Sequence, residues 1–460
     1  MASTDTSLTN ISSPIPIISN FTSSSTSSIV SSSVLSSSSL TTSITFQLLG
    51  LGYPLVDIIQ RLPDQSLLEK YKLKENDAIL AQSEHLLLYQ ELLKLYHNQY
   101  QSNTSIISDN QVYITAGGST LNTIRIAAWI INAIEKNHAK VGFIGRIGTD
   151  EYSDLLEQAM ELDHVYSLCE KSTISPSNSN PIDDLPTGTS AVLVYKDNRS
   201  LITYLGISRH LSLAYIQSSR MQQYIQSCPY MYSCGFMCQY AAPEHFDCVS
   251  YISELTLTSH HKFAINLSAE YICRDYTTRL LQLIHRATYV FGNEAEALVL
   301  GTTKQWIPTN TSDDNNTDNQ LIYIAQQLST YTDTNELNLL HYPTIILPTR
   351  RHVIITRGSK PALLVTSQGT IHHIPIVDKY VGKVVDPTGA GDAFVGGFFG
   401  TLILNDKYQW YNNNKDDLLI KAIQVGHWAA SKIIGEIGVQ FNQSIICPLL
   451  QELQRNTQQE

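Results

Sequence analysis

The chain reads as an α/β protein, with one mostly parallel central sheet, helices on both of its faces, and a small β lid. Three observations predict this. Short apolar runs alternate with longer amphipathic stretches over most of the chain, as in repeated strand–helix–strand units. Two such runs, Ser190 to Tyr195 and Ser200 to Leu205, are joined by only Lys196-Asp197-Asn198-Arg199 and read as a hairpin. Finally, the small-residue segment Asp386-Pro387-Thr388-Gly389-Ala390-Gly391-Asp392 runs straight into the apolar helix start Ala393-Phe394-Val395-Gly396-Gly397-Phe398-Phe399. With 460 residues, 43% of them apolar, there is enough material for one large domain with appendages or for two domains.

In chain order, residues 1 to about 45 are dominated by Ser and Thr and contain no Lys or Arg, so they read as a disordered tail with neither a secretory n-region nor a transit peptide. Phe46 to Gly52 reads as a buried strand ending in a glycine turn. Further strands are predicted at Val141 to Gly145, Tyr230 to Gly235, Phe263 to Leu267, Tyr289 to Gly292 and Val353 to Thr356. Helical sequence such as Thr123 to Ile134, Glu151 to Leu162 and Leu321 to Leu328 falls between them. The hairpin, with part of the segment after Phe46, is expected to cover the central sheet as the lid. Ser172 to Asp184, Thr309 to Asn319 and Thr330 to Asn338 are polar enough to be solvated insertions.

Composition excludes several classes of function. A net charge of −11, with 15% charged residues and no Lys/Arg block, is wrong for a partner held by phosphate neutralisation, so no nucleic acid is expected. No apolar run is long enough to span a membrane. The seven cysteines contain no Cys-x-x-Cys pair, which fits reduced thiols in a cytoplasmic or nuclear setting and gives no zinc site.

The chemistry concentrates in a few motifs. At the start of a buried helix the amides of Gly389, Ala390 and Gly391 would point outward and cradle an anion, and Asp392 beside them reads as a general base for an attacking hydroxyl. The alternative is a tight turn in which Asp392 only caps the helix. A dinucleotide fingerprint is ruled out because Phe394 stands where its third glycine belongs, and no Gly-Lys-Ser/Thr phosphate loop occurs. Upstream, Asp57 sits in an apolar context after a strand, where it can accept both protons of a vicinal diol or merely cap a turn. In Ala116-Gly117-Gly118-Ser119-Thr120-Leu121-Asn122, the paired glycines allow close backbone approach to a ligand and Asn122 can bond to hydroxyls; a helix cap with Asn122 on the surface is the competing reading. Asn293 and Glu296 share a helix face at a spacing that can hold hydrated magnesium, or they form an ordinary helix start. A hairpin-tip Arg199 meets either a phosphoryl group or solvent.

The segment from Asp386 to Asp392 closely resembles the C-terminal signature of the ribokinase-like (PfkB) sugar kinase family. Tyr71 to Asp77, Ala116 to Thr120, Pro186 to Thr189, Asp197 to Ser200, Ile265 to Ala269, Phe291 to Ala297 and Gly426 to Ser431 are similar, in the same order, to its nucleoside branch, the adenosine kinases. The resemblance runs over about Leu48 to Phe441. It implies a kinase domain over about 46–445, with a lid from parts of about 46–80, 110–118 and 186–206, followed by a C-terminal tail at 446–460.

Residue by residue, the resemblance implies that Asp57 binds the ribose hydroxyls, that Gly117, Gly118, Ser119 and Asn122 line the ribose site, and that Asp392 deprotonates the 5′-hydroxyl over the Gly389-Ala390-Gly391 anion hole. Asn293, Thr356, Gly358 and His427 would border ATP. Asn293 and Glu296 would organise Mg²⁺ through water, with Asp197 and Asn198 as weaker contributors, and Arg199 would act from the lid. The implied function is ATP-dependent phosphorylation of adenosine by a monomer. Another nucleoside, a free sugar such as ribose, or a non-catalytic scaffold role are the alternatives. Tyr53 and Ala78 stand where the family carries Asn and Gln, so base recognition is expected to depend more on stacking and shape; Asp386-Pro387-Thr388 differs from the Asp-Thr-Asn usual in animal-type adenosine kinases and is closer to other branches of the sugar kinase family.

Overall fold

Strands buried on both faces have no polar face to show to water, which is why the apolar runs of this chain are continuous rather than alternating. In the computed structural model, residues 44–75, 77–101, 111–136, 138–171, 182, 184–196, 198–239, 243–307, 314–332, 347–376, 384–411 and 415–457 are described. Their strands are β1 (Leu48–Leu51), β2 (Leu55–Arg61), β3 (Ala78–Leu80), β4 (Val112–Gly117), β5 (Val141–Ile147), β6 (Val165–Lys171), β7 (Gly188–Tyr195), β8 (Asn198–Tyr204), β9 (Tyr230–Cys234), β10 (Lys262–Asn266), β11 (Tyr289–Asn293), β12 (His352–Arg357), β13 (Lys360–Val365) and β14 (Ile371–Ile374).

Nine of these form the central sheet, in the order β14-β13-β12-β11-β10-β9-β1-β5-β6. From β12 to β6 every pairing is parallel, and β13 and β14 add antiparallel strands at one edge. The pleat sends neighbouring residues to opposite faces. Tyr230, Tyr232, Tyr289 and Phe291 pack against Phe398 and Phe399 under helices Ser119–Glu135, Ala390–Tyr408 and Lys415–Ile433. Met231, Phe263, Val290 and Val353 face the other way, into a core shared with helices Pro243–Thr258, Thr277–Arg286 and Asp314–Thr330.

The remaining five strands form a second sheet, ordered β3-β8-β7-β2-β4. Here β2 pairs parallel to β7 and antiparallel to β4, and β7 and β8 are the antiparallel hairpin. The end of β4 is pinned from the core: Arg125 donates through Nη1 to the carbonyl of Ala116 at 3.2 Å and through Nε to Asp163 at 2.6 Å.

The structure corrects four boundaries. The helix expected from Thr123 begins at Ser119, because Gly118 takes a φ of 97° and turns the chain directly into it. The second hairpin strand is Asn198–Tyr204 rather than Ser200 to Leu205. The polar stretch Thr309 to Asn319 is not all insertion, since a helix starts at Asp314. The segment 446–460, expected as a tail, carries helix Pro448–Thr457, with Leu450 only 1% exposed in the core. Residues 1–43 of the N-terminal tract, 172–181 and 183, and 333–338 lie outside the described residues. Among the described residues no helix is long and apolar enough to cross a membrane.

Candidate active site

Ligands of open parallel sheets bind beyond the carboxyl ends of the strands, where the loops diverge. A cavity of about 370 Å³ lies there, between the two sheets. The core contributes the ends of β9 to β12 through Cys234, Asn266, Asn293 and Thr356, and the lid contributes Asp57, Ser190, Arg199 and Thr203.

Its floor is the turn into helix Ala390–Tyr408. Gly389 holds a φ of 77°, and a Cβ there would lie 2.2 Å from Val439 Cγ2, so both conformation and space demand glycine. Asp386 fixes the preceding loop: its Oδ1 accepts from the Thr388 amide at 2.8 Å and its Oδ2 from the Gly438 amide at 2.9 Å. Asp392 follows in the first helical turn and does more than cap. Ser119 Oγ donates to its Oδ1 at 2.7 Å and Asn122 Nδ2 to its Oδ2 at 3.2 Å. Burial raises the Asp392 carboxyl above its usual range, while these two donors and Arg199 pull it back. Asn122 is 3% exposed, which excludes the surface reading.

Asp57 faces this floor from β2 and is 5% exposed. Burial pushes its carboxyl up to about 8, with the charges of Asp392 and Asp386 adding and those of Arg125 and Arg199 opposing. Gly117 on β4 is part of the same arrangement in a way the sequence did not indicate. It does not line the cavity; a Cβ there would sit 2.1 Å from Asp57 Oδ2, so its missing side chain is the space the carboxylate occupies. Arg199 reaches from β8 toward the floor, its Nη1 donating to the Pro387 carbonyl at 3.5 Å.

Asn293 and Glu296 form a reciprocal capping box. Asn293 Oδ1 accepts from the Glu296 amide at 2.8 Å, while Glu296 accepts from the Asn293 backbone amide at 2.9 Å and from its Nδ2 at 2.8 Å. Glu296 is nevertheless a cavity residue, 6% exposed, and burial pushes its carboxyl up to about 7. Among the described residues no three His, Cys, Asp or Glu side chains cluster to cage a metal.

Several expected site residues lie elsewhere. Gly358 occupies the turn between β12 and β13, outside the cavity lining. His427 sits behind the lining, its ring 5.2 Å from that of Phe394, and burial lowers it to about 4. Asn198 bonds to Glu75 Oε2 at 2.6 Å, away from the cavity lining, and Asp197 is outside the described residues.

The rest of the cavity wall is largely apolar and aromatic, with Leu55, Leu80, Leu205, Phe236, Tyr53 and Tyr271. Tyr53 and Ala78 both belong to the lining. Burial raises the Tyr53 phenol well above its ordinary value, with Cys234 and Tyr271 adding to the effect. Gln239 also lies in this wall and was missed by the sequence reading; its position just past the carboxyl end of β9 was the available signal. The cavity therefore brings together two carboxylates, one of them held by two side-chain donors, the helix-start turn at Gly389 and a largely apolar and aromatic wall.

The pattern of the pfkB family carbohydrate kinases matches residues 84–446. Adenosine kinase 2 of Arabidopsis thaliana is 27% identical over 86% of this chain and 95% of its own length. Among solved structures, Anopheles gambiae adenosine kinase in complex with P1,P4-di(adenosine-5) tetraphosphate is 28% identical, with a TM-score of 0.65 over 85% of this chain and 96% of its own. Adenosine kinase from Schistosoma mansoni in complex with 2-fluoroadenosine is 25% identical, with a TM-score of 0.66 over 86% of this chain and 97% of its own.

Proposed function

The chain belongs to the pfkB family of carbohydrate kinases, and from that premise we propose that it transfers the terminal phosphoryl group of ATP to the 5′-hydroxyl of adenosine, giving AMP and ADP. The observation that carries this reading is the pairing of two carboxylates across the cavity, buried Asp57 on the lid and half-buried Asp392 in the first turn of the helix that starts at Ala390, beside a largely apolar wall. A ribose placed between them gives its 2′- and 3′-hydroxyls to Asp57 and its 5′-hydroxyl to Asp392, and the base then lies along that wall. The relatives named above as adenosine kinases support the same substrate.

In this mechanism Asp392 takes the proton as the 5′-oxygen attacks. Its raised proton affinity favours taking that proton. The amides of Gly389 and Gly391, joined by that of Ala390 when it leaves the Pro387 carbonyl to which it donates at 3.3 Å, receive the charge that develops on the transferring phosphoryl group, and Arg199 adds a cation from the lid. Asn122 and Ser119 hold Asp392 until the substrate hydroxyl takes its place against the carboxylate.

Magnesium bound with ATP supplies charge neutralisation at the phosphates. Glu296 and Asn293 fit an ion that keeps its water shell: one cavity-facing carboxylate, oriented by its capping box, with no protein cage around it. The seven cysteines are all free thiols, which supports a reducing, cytoplasmic or nuclear compartment.

The test is adenosine-dependent release of ADP from ATP with AMP quantified, run beside inosine and ribose. AMP formation that exceeds phosphorylation of the other two by tenfold or more is expected. Preferred phosphorylation of ribose would reassign the substrate, and ADP release independent of any acceptor would refute transfer altogether.

A further inference from the structure

Gln239 is among the best-held polar side chains in the apolar wall of the cavity. It lies past the carboxyl end of β9, is 2% exposed, and its Nε2 donates to the Tyr271 hydroxyl at 2.6 Å. Its backbone is fixed as well. Arg279 Nη1 donates to the carbonyls of both Cys238 and Gln239, at 3.3 and 3.1 Å. The carboxamide oxygen has no hydrogen-bond partner among the described residues. A buried acceptor left in that state is destabilising unless something completes it, and proteins keep such groups where a ligand does so. The family's two amides in this region are absent, being Tyr53 and Ala78 here, and both of those positions lie in the same cavity.

We propose that Gln239 reads position 6 of a purine nucleoside, its carboxamide oxygen accepting a hydrogen bond from the exocyclic amine of a 6-aminopurine. This rests on the nucleoside kinase reading above and names the residue that makes it selective. Tyr271 sets the orientation: by accepting from Nε2 it leaves the oxygen, rather than the amine, as the free end of the amide. A 6-oxo purine would bring an acceptor to that acceptor. A purine with nothing at position 6 would leave the oxygen unsatisfied. The cavity's aromatic wall holds any purine by shape, so the distinction between them falls to this one group.

The test compares adenosine with purine riboside, which lacks only the 6-amino group, using the full-length enzyme and its Gln239→Leu variant with ATP in excess. In the variant the adenosine-to-purine-riboside ratio of kcat/KM should fall about tenfold from its wild-type value, the worth of one neutral hydrogen bond in a dry pocket. An unchanged ratio overturns the proposal, as does a wild type that uses the two nucleosides equally well. Should Gln239→Leu not be recovered folded, Tyr271→Phe serves in its place: it keeps the ring, removes the hydroxyl that orients the amide, and should lower the same ratio about threefold, an unchanged ratio again overturning the proposal. A wild type that phosphorylates neither nucleoside would refute the kinase reading itself, so the two failures are distinct.

Discussion

Adding a single methyl group at Gly117 should disable nucleoside binding while leaving the catalytic base in place. Gly117 is not among the glycines with positive φ, so alanine meets no backbone strain on β4. The whole effect is contact: the new Cβ would stand 2.1 Å from Asp57 Oδ2 and 2.2 Å from its Cγ. Ordinary contact needs about 3.4 Å, so the carboxylate has to retreat by about 1.3 Å. A hydrogen bond of about 2.7 Å stretched by that amount is no longer one. Each hydroxyl bond to a charged acceptor is worth about 1.5–3 kcal/mol, so losing one of two raises KM for adenosine by about 10- to 150-fold. Turnover at saturation should change far less, because Asp392 keeps both its donors, and KM for ATP should stay within about twofold. Initial rates with AMP quantified, and calorimetric affinity for adenosine, make the measurement. A Gly117→Ala enzyme with wild-type KM for adenosine would mean that Asp57 does not hold the ribose.

Four further outcomes can be measured. Asp392→Asn should lower kcat by about two to four decades with adenosine affinity little changed, and near-normal turnover would refute its role as base. Adenosine binding should release protons: hydroxyl donors favour the charged form of Asp57, whose carboxyl is held up to about 8, so affinity should tighten as pH rises from 6 toward 8, and calorimetry in buffers of different ionisation enthalpy should detect nearly one proton released per nucleoside at pH 6. The sign for stability is the opposite. With Asp57 held up to about 8 and Glu296 to about 7, both above their ordinary values, their contribution to the empty protein is full at low pH and lost as pH climbs through about 4 to 8, so its thermal midpoint should fall over that range and adenosine should offset the fall. Leu450→Ala should destabilise the fold by about 2–5 kcal/mol in denaturant unfolding, and an unchanged midpoint would return the C-terminal segment to the status of a tail.

The central sheet was legible because a strand buried on both faces must be apolar throughout, and β1, β9, β10, β11 and β12 each stand within a residue or two of their expected places. The floor of the site was legible for a related reason: only Gly389 satisfies both the turn and the packing against Val439, so the signature cannot vary much. What failed was local or non-local in identifiable ways. Gly118-Ser119-Thr120 reads as loop, yet a single positive φ at Gly118 turns the chain from β4 straight into a helix that begins at Ser119. Pro448 to Thr457 has too few apolar residues to announce a helix, and it is the docking of Leu449 and Leu450 that makes it one. Gly117 was taken as a ligand-facing glycine when it yields its space to Asp57, a partner on another strand that no sequence spacing could specify. Gln239 was overlooked because a lone polar residue after Met237-Cys238 has no motif; its meaning comes from Tyr271 and Arg279, each more than thirty positions away.

Asp392 stands on a helix of the central sheet, whereas Asp57 and Arg199 belong to the lid. With the roles proposed above, neither sheet alone can therefore carry the reaction to completion. In the proposed mechanism the nucleoside fastens them, its sugar holding one sheet at two hydroxyls and presenting the third to the other. Until it arrives, that mechanism leaves a water molecule near the nucleotide without the grip that brings an alcohol into line with the base. On that mechanism, dividing the site in this way guards ATP against idle hydrolysis, because the acceptor that ends the waiting is also the piece that finishes the machine.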